Sequence, residues 1–239
     1  MRLSAPVFRL KRRARLLARK ENIPLATALN RIARDEGFAH WSLLAARSSR
    51  HSSAECTISG LENGDLALLG GRPRQGKTLA GLRLLTEGAR QNRKAVLFSL
   101  EFTEKTARGH LANLGADPEE MAGRLSVVTS EKISSDFIIE YLEHAPGGTI
   151  ALIDYLQILD QRRSTPDLAV QVKDLHDFAR KRGHILAFLS QIDRTFDPAV
   201  KGLPDMSDIR LPNRLNLGLF NKAWFFHDGK VGFQTNLMS

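Results

Sequence analysis

Cysteine occurs once in these 239 residues, at Cys56. A single thiol excludes a disulfide framework and any cysteine-based zinc site. Seven histidines are present, but none is joined to another by H-x-x-H or H-E-x-x-H spacing, which argues against a metal enzyme. No run approaches the roughly 18–20 apolar residues of a membrane span. The start, MRLSAPVFRLKRRARLL, is basic but has neither an apolar h-region nor a small-residue cleavage site, so no secretory signal is expected. These absences leave a reduced, soluble, cytoplasmic protein with no membrane contact as the expectation. At 42% hydrophobic and 26% charged, the composition suits a globular chain. Its length allows one α/β domain with a small appendage, or one large domain.

The charge is unevenly placed. Residues 1–50 carry twelve Lys/Arg against three Asp/Glu, an excess of nine that equals the net charge of the whole chain. The remainder is balanced. A concentrated positive segment attracts polyanions through counterion release and steering. The same run also reads as the solvated face of a helix. Leu10, Ala14 and Leu17 recur at helical spacing there. Pro24 is placed to open a second helix with Leu25, Ala28, Leu29 and Ile32 inward and Gly37 beyond its end. Phe38, Trp41 and Leu44 form a third short stripe, with Trp41 expected in the core. A basic helical domain over 1–47 and a polar linker over 48–56 are expected, followed by a large domain over 57–239.

From there strands and helices alternate. Buried-strand runs are read at 65–69, 95–100, 125–128, 149–158 and 184–190, and a hairpin at 223–227 and 231–234 around Asp228-Gly229. Helices are read at 77–89 (stripe Leu79, Leu82, Leu85), 103–114 (N-cap Thr103, then Gly115), 135–144 and 168–182, the last stopped by Gly183. The expected fold is α/β with a mostly parallel central sheet.

Four short segments carry chemistry. Residues 71–78 read GRPRQGKT, the G-x-x-x-x-G-K-T phosphate loop, with an apolar strand before it and a helix after it. Gly71, Arg72, Pro73, Arg74, Gln75, Gly76, Lys77 and Thr78 are therefore the candidate nucleotide-binding residues. The glycines let backbone amides close around phosphates, Lys77 reaches the β- and γ-phosphates, and the Thr78 hydroxyl faces Mg²⁺. Asp154 ends an apolar strand and is placed to hold Mg²⁺ through its waters. The alternative for it is an edge-strand aspartate that caps the sheet. Glu101 ends the strand AVLFSLE, where a carboxylate can orient and deprotonate an attacking water. Its alternative is a helix-entry residue at the Thr103 turn. Gln191 ends ILAFLSQ, where an amide can touch the γ-phosphate. Its alternative is a polar strand terminus.

GRPRQGKT, FSLE, IDYLQ and LSQIDR, in that order, with MSDIR at 206–210, resemble the RecA-like ATPase domain of replicative DnaB-type helicases over residues 58–232. The resemblance implies ATP and Mg²⁺ as ligands, with nucleotide contacts at Gly71, Gly76, Lys77 and Thr78. It implies metal association at Asp154, the catalytic base at Glu101 and phosphate sensing at Gln191. It further implies DNA, single-stranded, as partner and a hexameric homo-oligomer. Arg194 has a counterpart without a defined role. Two stretches depart from the family. Residues 211–223 (LPNRLNLGLFNKA) lack its acidic set, and Lys230 is not followed by the arginine of the family's trans finger. Upstream, GFAHWSLLAA within 25–46 resembles a small glyoxalase-related helical module of pattern G-F-x-x-W-x-x-L. Two functions are thus open: a helicase-like motor or DNA-dependent ATPase, and a regulatory ATPase whose N-terminal helices dock a protein partner. A nucleotide-dependent DNA-binding module without motor action is a third.

Overall fold

The computed structural model describes residues 7–21, 23–41, 43–44, 56–115, 123–160, 166–211, 213 and 215–235. Two compact units make up the chain: one holds residues 1–55 with 227–231, the other the remainder. The linker expected at 48–56 lies, except for Cys56, outside the described residues.

The first unit contains α1 (Val7–Glu21) and α2 (Leu25–Asp35). Its core is Leu10, Ala14, Ala28, Ile32, Ala33 and Leu44, with Leu17, Leu29, Phe38 and Trp41 packed around it. Leu25, expected to face inward, is instead 42% exposed. Pro24 precedes α2 as N-cap, and Gly37 follows the helix in the left-handed region at φ 83°. The Asn30 side chain accepts from the Trp41 amide at 3.0 Å, and Arg31 pairs with Glu21.

The second unit is built on a seven-stranded sheet of order β3-β2-β4-β5-β1-β6-β7. The strands are β1 (Leu66–Gly71), β2 (Ala95–Ser99), β3 (Leu125–Val128), β4 (Ile150–Asp154), β5 (Ile185–Ser190), β6 (Lys222–His227) and β7 (Lys230–Thr235). Every pairing from β3 across to β6 is parallel. Left-handed Asp228 and Gly229 make the tight turn that returns β7 beside β6. Helices are α3 (Lys77–Arg90), α4 (Glu104–Asn113), α5 (Ser135–Leu142) and α6 (Leu168–Arg182).

Both sheet faces are covered, which is why the central strands read as unbroken apolar runs. Along β4, Ala151 and Ile153 join the cluster that includes Ile138 and Leu142 of α5 and Val172 and Leu175 of α6. Ile150 and Leu152 point the other way, toward α3. That helix lies close because it meets them with glycines: a Cβ on Gly81 would sit 2.7 Å from a Leu152 methyl, and one on Gly88 2.4 Å from Ile150 Cδ1. The buried face of α3 therefore centres on Gly81, Leu85 and Gly88, with Leu82 and Leu84 also buried. Leu79, expected in the apolar stripe, is 43% exposed.

One strand is shorter than its sequence suggests. The run TIALIDYLQI leaves the sheet at Asp154 and continues as a 3₁₀ helix over Leu156–Asp160. Buried Gln171 on α6 fastens this segment. Its amide nitrogen donates to the carbonyls of Leu159 and Pro166, and its oxygen accepts from the Ser135 amide. No helix among the described residues is long and apolar enough to cross a membrane.

Candidate nucleotide site

Parallel strands bring their carboxyl ends to one edge, and ligands of open α/β sheets bind there. Register fixes which residues meet. Gly70 lies opposite Ser190, so the phosphate loop leaves the sheet beside Gln191. Ser99 lies opposite Asp154, so Glu101 leaves the sheet beside Asp154.

The loop after β1 turns tightly, with the Gln75 amide donating to the Arg72 carbonyl. Arg74 (φ 66°) and Gly76 (φ 97°) both adopt left-handed backbone. At Gly76 this is the conformation that favours glycine. Gly76 is also the N-cap of α3 and supplies no side-chain acceptor, so the first amides of the helix face outward as anion donors. Gly71 is needed for close approach, since a Cβ there would stand 3.3 Å from the Phe226 carbonyl. Lys77 and Thr78 begin the helix and are half-buried. Pro73 and Arg74 are exposed and Gln75 is half-buried. The Arg72 guanidinium is engaged elsewhere, on backbone carbonyls of residues 193–196.

Asp154 is only 3% exposed. Its carboxyl is pushed up to about 6, first by burial and then by the negative charge of Glu101. The Lys77 ammonium and the Ser99 hydroxyl pull the other way. Lys77, Glu101 and Asp154 thus share one electrostatic neighbourhood. Ser99 links two of them: its hydroxyl lies 3.4 Å from Asp154 Oδ2 and accepts from the Glu101 amide at 3.1 Å. Nothing in the sequence marks Ser99 out, because its role depends on strand register. The turn into α4 is capped by Thr103 with Thr106 in a reciprocal box, so the helix-entry role weighed for Glu101 is already filled. Gln191 is half-buried, and its carbonyl accepts from the Arg210 amide at 2.8 Å.

The donor set suits Mg²⁺ bound together with a nucleotide. Among the described residues no group of three His, Cys, Asp or Glu forms a cage. One buried carboxylate and one hydroxyl beside a phosphate cradle match how Mg²⁺ is held when phosphates complete its shell.

The raised Asp154 carboxyl has a measurable consequence. An unfolded aspartate ionises near 3.9, whereas this one holds its proton to about 6. In metal-free buffer its contribution is neutral below about pH 4, falls as pH rises from about 4 to 6, and is unfavourable above that window. Asp154→Asn should therefore unfold at higher urea than the parent at pH 8, by on the order of 2–3 kcal/mol, and lose that advantage at pH 4. Equal stability of the two proteins at pH 8 would contradict the assignment.

A parallel sheet whose first strand runs into a glycine-rich phosphate loop, with an acid at the end of the next strand but one, has the arrangement of the P-loop fold in its RecA-like form. The comparisons with known proteins narrow this. No family model matches the chain. It is 27% identical over 188 residues to the replicative DNA helicase DnaB of Synechocystis sp. (strain ATCC 27184 / PCC 6803 / Kazusa), covering 65% of this chain and 21% of that protein. The chain thus spans about a fifth of the length of that relative. Among solved structures, one described as an ATPase domain superposes with a TM-score of 0.57 at 18% identity, covering 77% of this chain and 81% of the other. A DnaB-like replicative helicase, described with its interactions with primase, superposes at 0.58 and 16% identity, covering 91% and 64%. The fold of this chain, a mostly parallel seven-stranded sheet with helices on both faces, thus matches that of RecA-like DnaB-type ATPase domains.

Proposed function

We propose that this protein binds ATP with Mg²⁺, hydrolyses it, and acts on DNA as a helicase-like motor or DNA-dependent ATPase of the cytoplasm. The observation that carries the reading is the meeting of Lys77, Glu101 and Asp154 at the sheet edge where the phosphate loop ends. The backbone amides of the 71–78 loop hold the phosphates, with the Lys77 side chain as a point charge on the β- and γ-oxygens. Thr78 and Asp154 hold the Mg²⁺, whose charge offsets that of the phosphates. Glu101 orients the attacking water and takes its proton, and Gln191 contacts the γ-phosphate. In this reading a basic helical domain over 1–47 precedes a linker and the ATPase domain over 57–239. The ATPase domains associate as a homo-oligomer, hexameric as the DnaB resemblance implies. The glyoxalase-related resemblance at 25–46 assigns no activity.

Single-turnover ATP hydrolysis, with and without single-stranded DNA at two salt concentrations, tests this. Stimulation that fades with salt supports a DNA-dependent ATPase. Turnover indifferent to nucleic acid supports the second reading, a regulatory ATPase docking a protein partner. That reading draws on the residues after Lys230, which are Val231, Gly232 and Phe233 with no arginine to act in trans.

The basic helix provides a separate handle. Arg13, Arg15 and Arg19 are exposed on α1, around buried Ala14. Changing all three to Gln should leave α1 folded and weaken DNA binding. On single strands the log–log salt slope should fall by about 0.7 for each phosphate no longer neutralised. Filter binding across a salt series measures both, and an unchanged slope would remove α1 from the DNA footprint.

A further inference from the structure

After β5 the chain makes an excursion that leaves at Gln191 and returns at Arg210. Its base is closed by antiparallel pairing of Ile192 with Ile209 and by the Arg210 amide on the Gln191 carbonyl. Its interior is braced independently. Lys201 pairs with Asp205 and Asp208, and Asp205 caps the 3₁₀ turn Met206–Asp208. At the far side Val200 is 86% exposed. The excursion is therefore a preformed finger rooted at the nucleotide edge.

Two side chains tie its roots to the nucleotide loops. On the outgoing limb, Arg72 Nη2 donates to the carbonyls of Asp193 at 3.3 Å, Arg194 at 3.1 Å and Phe196 at 2.6 Å. The same guanidinium stacks over the Phe196 ring, 5.4 Å from its centroid. On the returning limb, Gln157 Nε2 donates to the Arg210 carbonyl at 2.7 Å. Among the described residues Gln157 Oε1 is buried with no hydrogen-bond partner, so within them this amide is held by its donor end alone. Each tie starts next to a proposed ligand contact: Arg72 follows Gly71, and Gln157 stands three residues after Asp154. A guanidinium engaged by three carbonyls and a ring is committed to the finger, while its backbone belongs to the loop that must close on phosphate.

We propose that Arg72 and Gln157 are positioning residues that couple the phosphate loop and the Asp154 segment to the 192–210 finger, so that nucleotide occupancy sets the finger's placement. This rests on the phosphate-loop reading given above. Coupling through two ties at opposite roots moves the finger as a body, because Lys201 keeps its interior fixed. It is also reciprocal: whatever binds the finger changes nucleotide affinity by the factor by which nucleotide changes its own.

Hydrogen–deuterium exchange of the full chain, without nucleotide and at saturating Mg²⁺ with a non-hydrolysable ATP analogue, tests the coupling. In the parent, amides of 72–78 and of 192–210 should both slow, the latter by about ten-fold. In Arg72→Ala and in Gln157→Met, at analogue concentrations giving full occupancy, 72–78 should slow as before. The change at 192–210 should shrink to about two-fold or less. Thermal midpoints verify folding. Should Arg72→Ala not fold, Arg72→Lys keeps the charge without the fork and carries the same comparison. If the parent shows no change at 72–78, the phosphate-loop reading itself fails. If 72–78 responds and 192–210 does not, that reading stands and the coupling is overturned. Retention of the full finger response in both variants overturns it as well. So does an Arg72→Ala protein that millimolar analogue cannot saturate, which would make Arg72 a phosphate ligand.

Discussion

Lys77→Ala should reduce ATP turnover by about 10²–10³-fold or more while leaving the fold intact. Lys77 is half-buried at the first turn of α3 and makes no contribution to the apolar core, so its removal costs charge and little packing. A second signature separates this outcome from simple damage. Lys77 is one of two groups that hold the Asp154 carboxyl down against burial and the Glu101 charge. Without the ammonium, that carboxyl should rise further above its present value of about 6. Titration with a fluorescent ATP analogue and a pH series of urea unfolding read the two effects. Normal nucleotide affinity and turnover in a folded Lys77→Ala protein would refute the phosphate-loop assignment.

Glu101→Gln should keep nucleotide bound and slow hydrolysis by about 10²–10⁴-fold, because the amide preserves shape and loses the base. The sign of its side effect is opposite to that of Lys77→Ala. Glu101 is a negative neighbour that raises the Asp154 carboxyl, so neutralising it should lower that carboxyl and let Asp154 ionise at more acid pH. Mg²⁺-dependent nucleotide binding should then persist to lower pH than in the parent. Single-turnover hydrolysis with a pH series of analogue binding tests both. Turnover within a few-fold of the parent would place the base elsewhere.

Much of this site is legible without coordinates, for identifiable reasons. GRPRQGKT announces itself because each position is constrained by phosphate geometry, and the flanking apolar run and helix give it context. Asp154 and Glu101 are legible as the ends of apolar strands. What stays hidden depends on distance along the chain. The acceptors of Arg72 lie 121 to 124 residues away, and nothing local separates an arginine on phosphate from one on carbonyls. Ser99 matters only because register sets it against Asp154. The end of β4 is hidden for another reason. An unbroken apolar run is compatible with a buried strand or a buried helical turn, and TIALIDYLQI is one followed by the other. The sidedness of α3 is misread because leucines dominate any hydrophobic pattern. The contact face is instead organised around two glycines, which contribute nothing to such a pattern.

Those two glycines set a tolerance for the whole site. The standoff between α3 and β4 is short because only the strand contributes side chains at the points of contact, Leu152 against Gly81 and Ile150 against Gly88. Lys77 and Thr78 ride on the first turn of that helix, and Asp154 closes the strand beneath it. Any added thickness at 81 or 88 must be absorbed as lift or tilt, and the helix delivers it to the phosphate loop as misalignment against Asp154. Alanine is a better helix former than glycine, so a substitution that would strengthen α3 in isolation would throw its leading end out of gauge. The helix gives up stability of its own to hold the spacing between two motifs 76 residues apart, from Thr78 to Asp154.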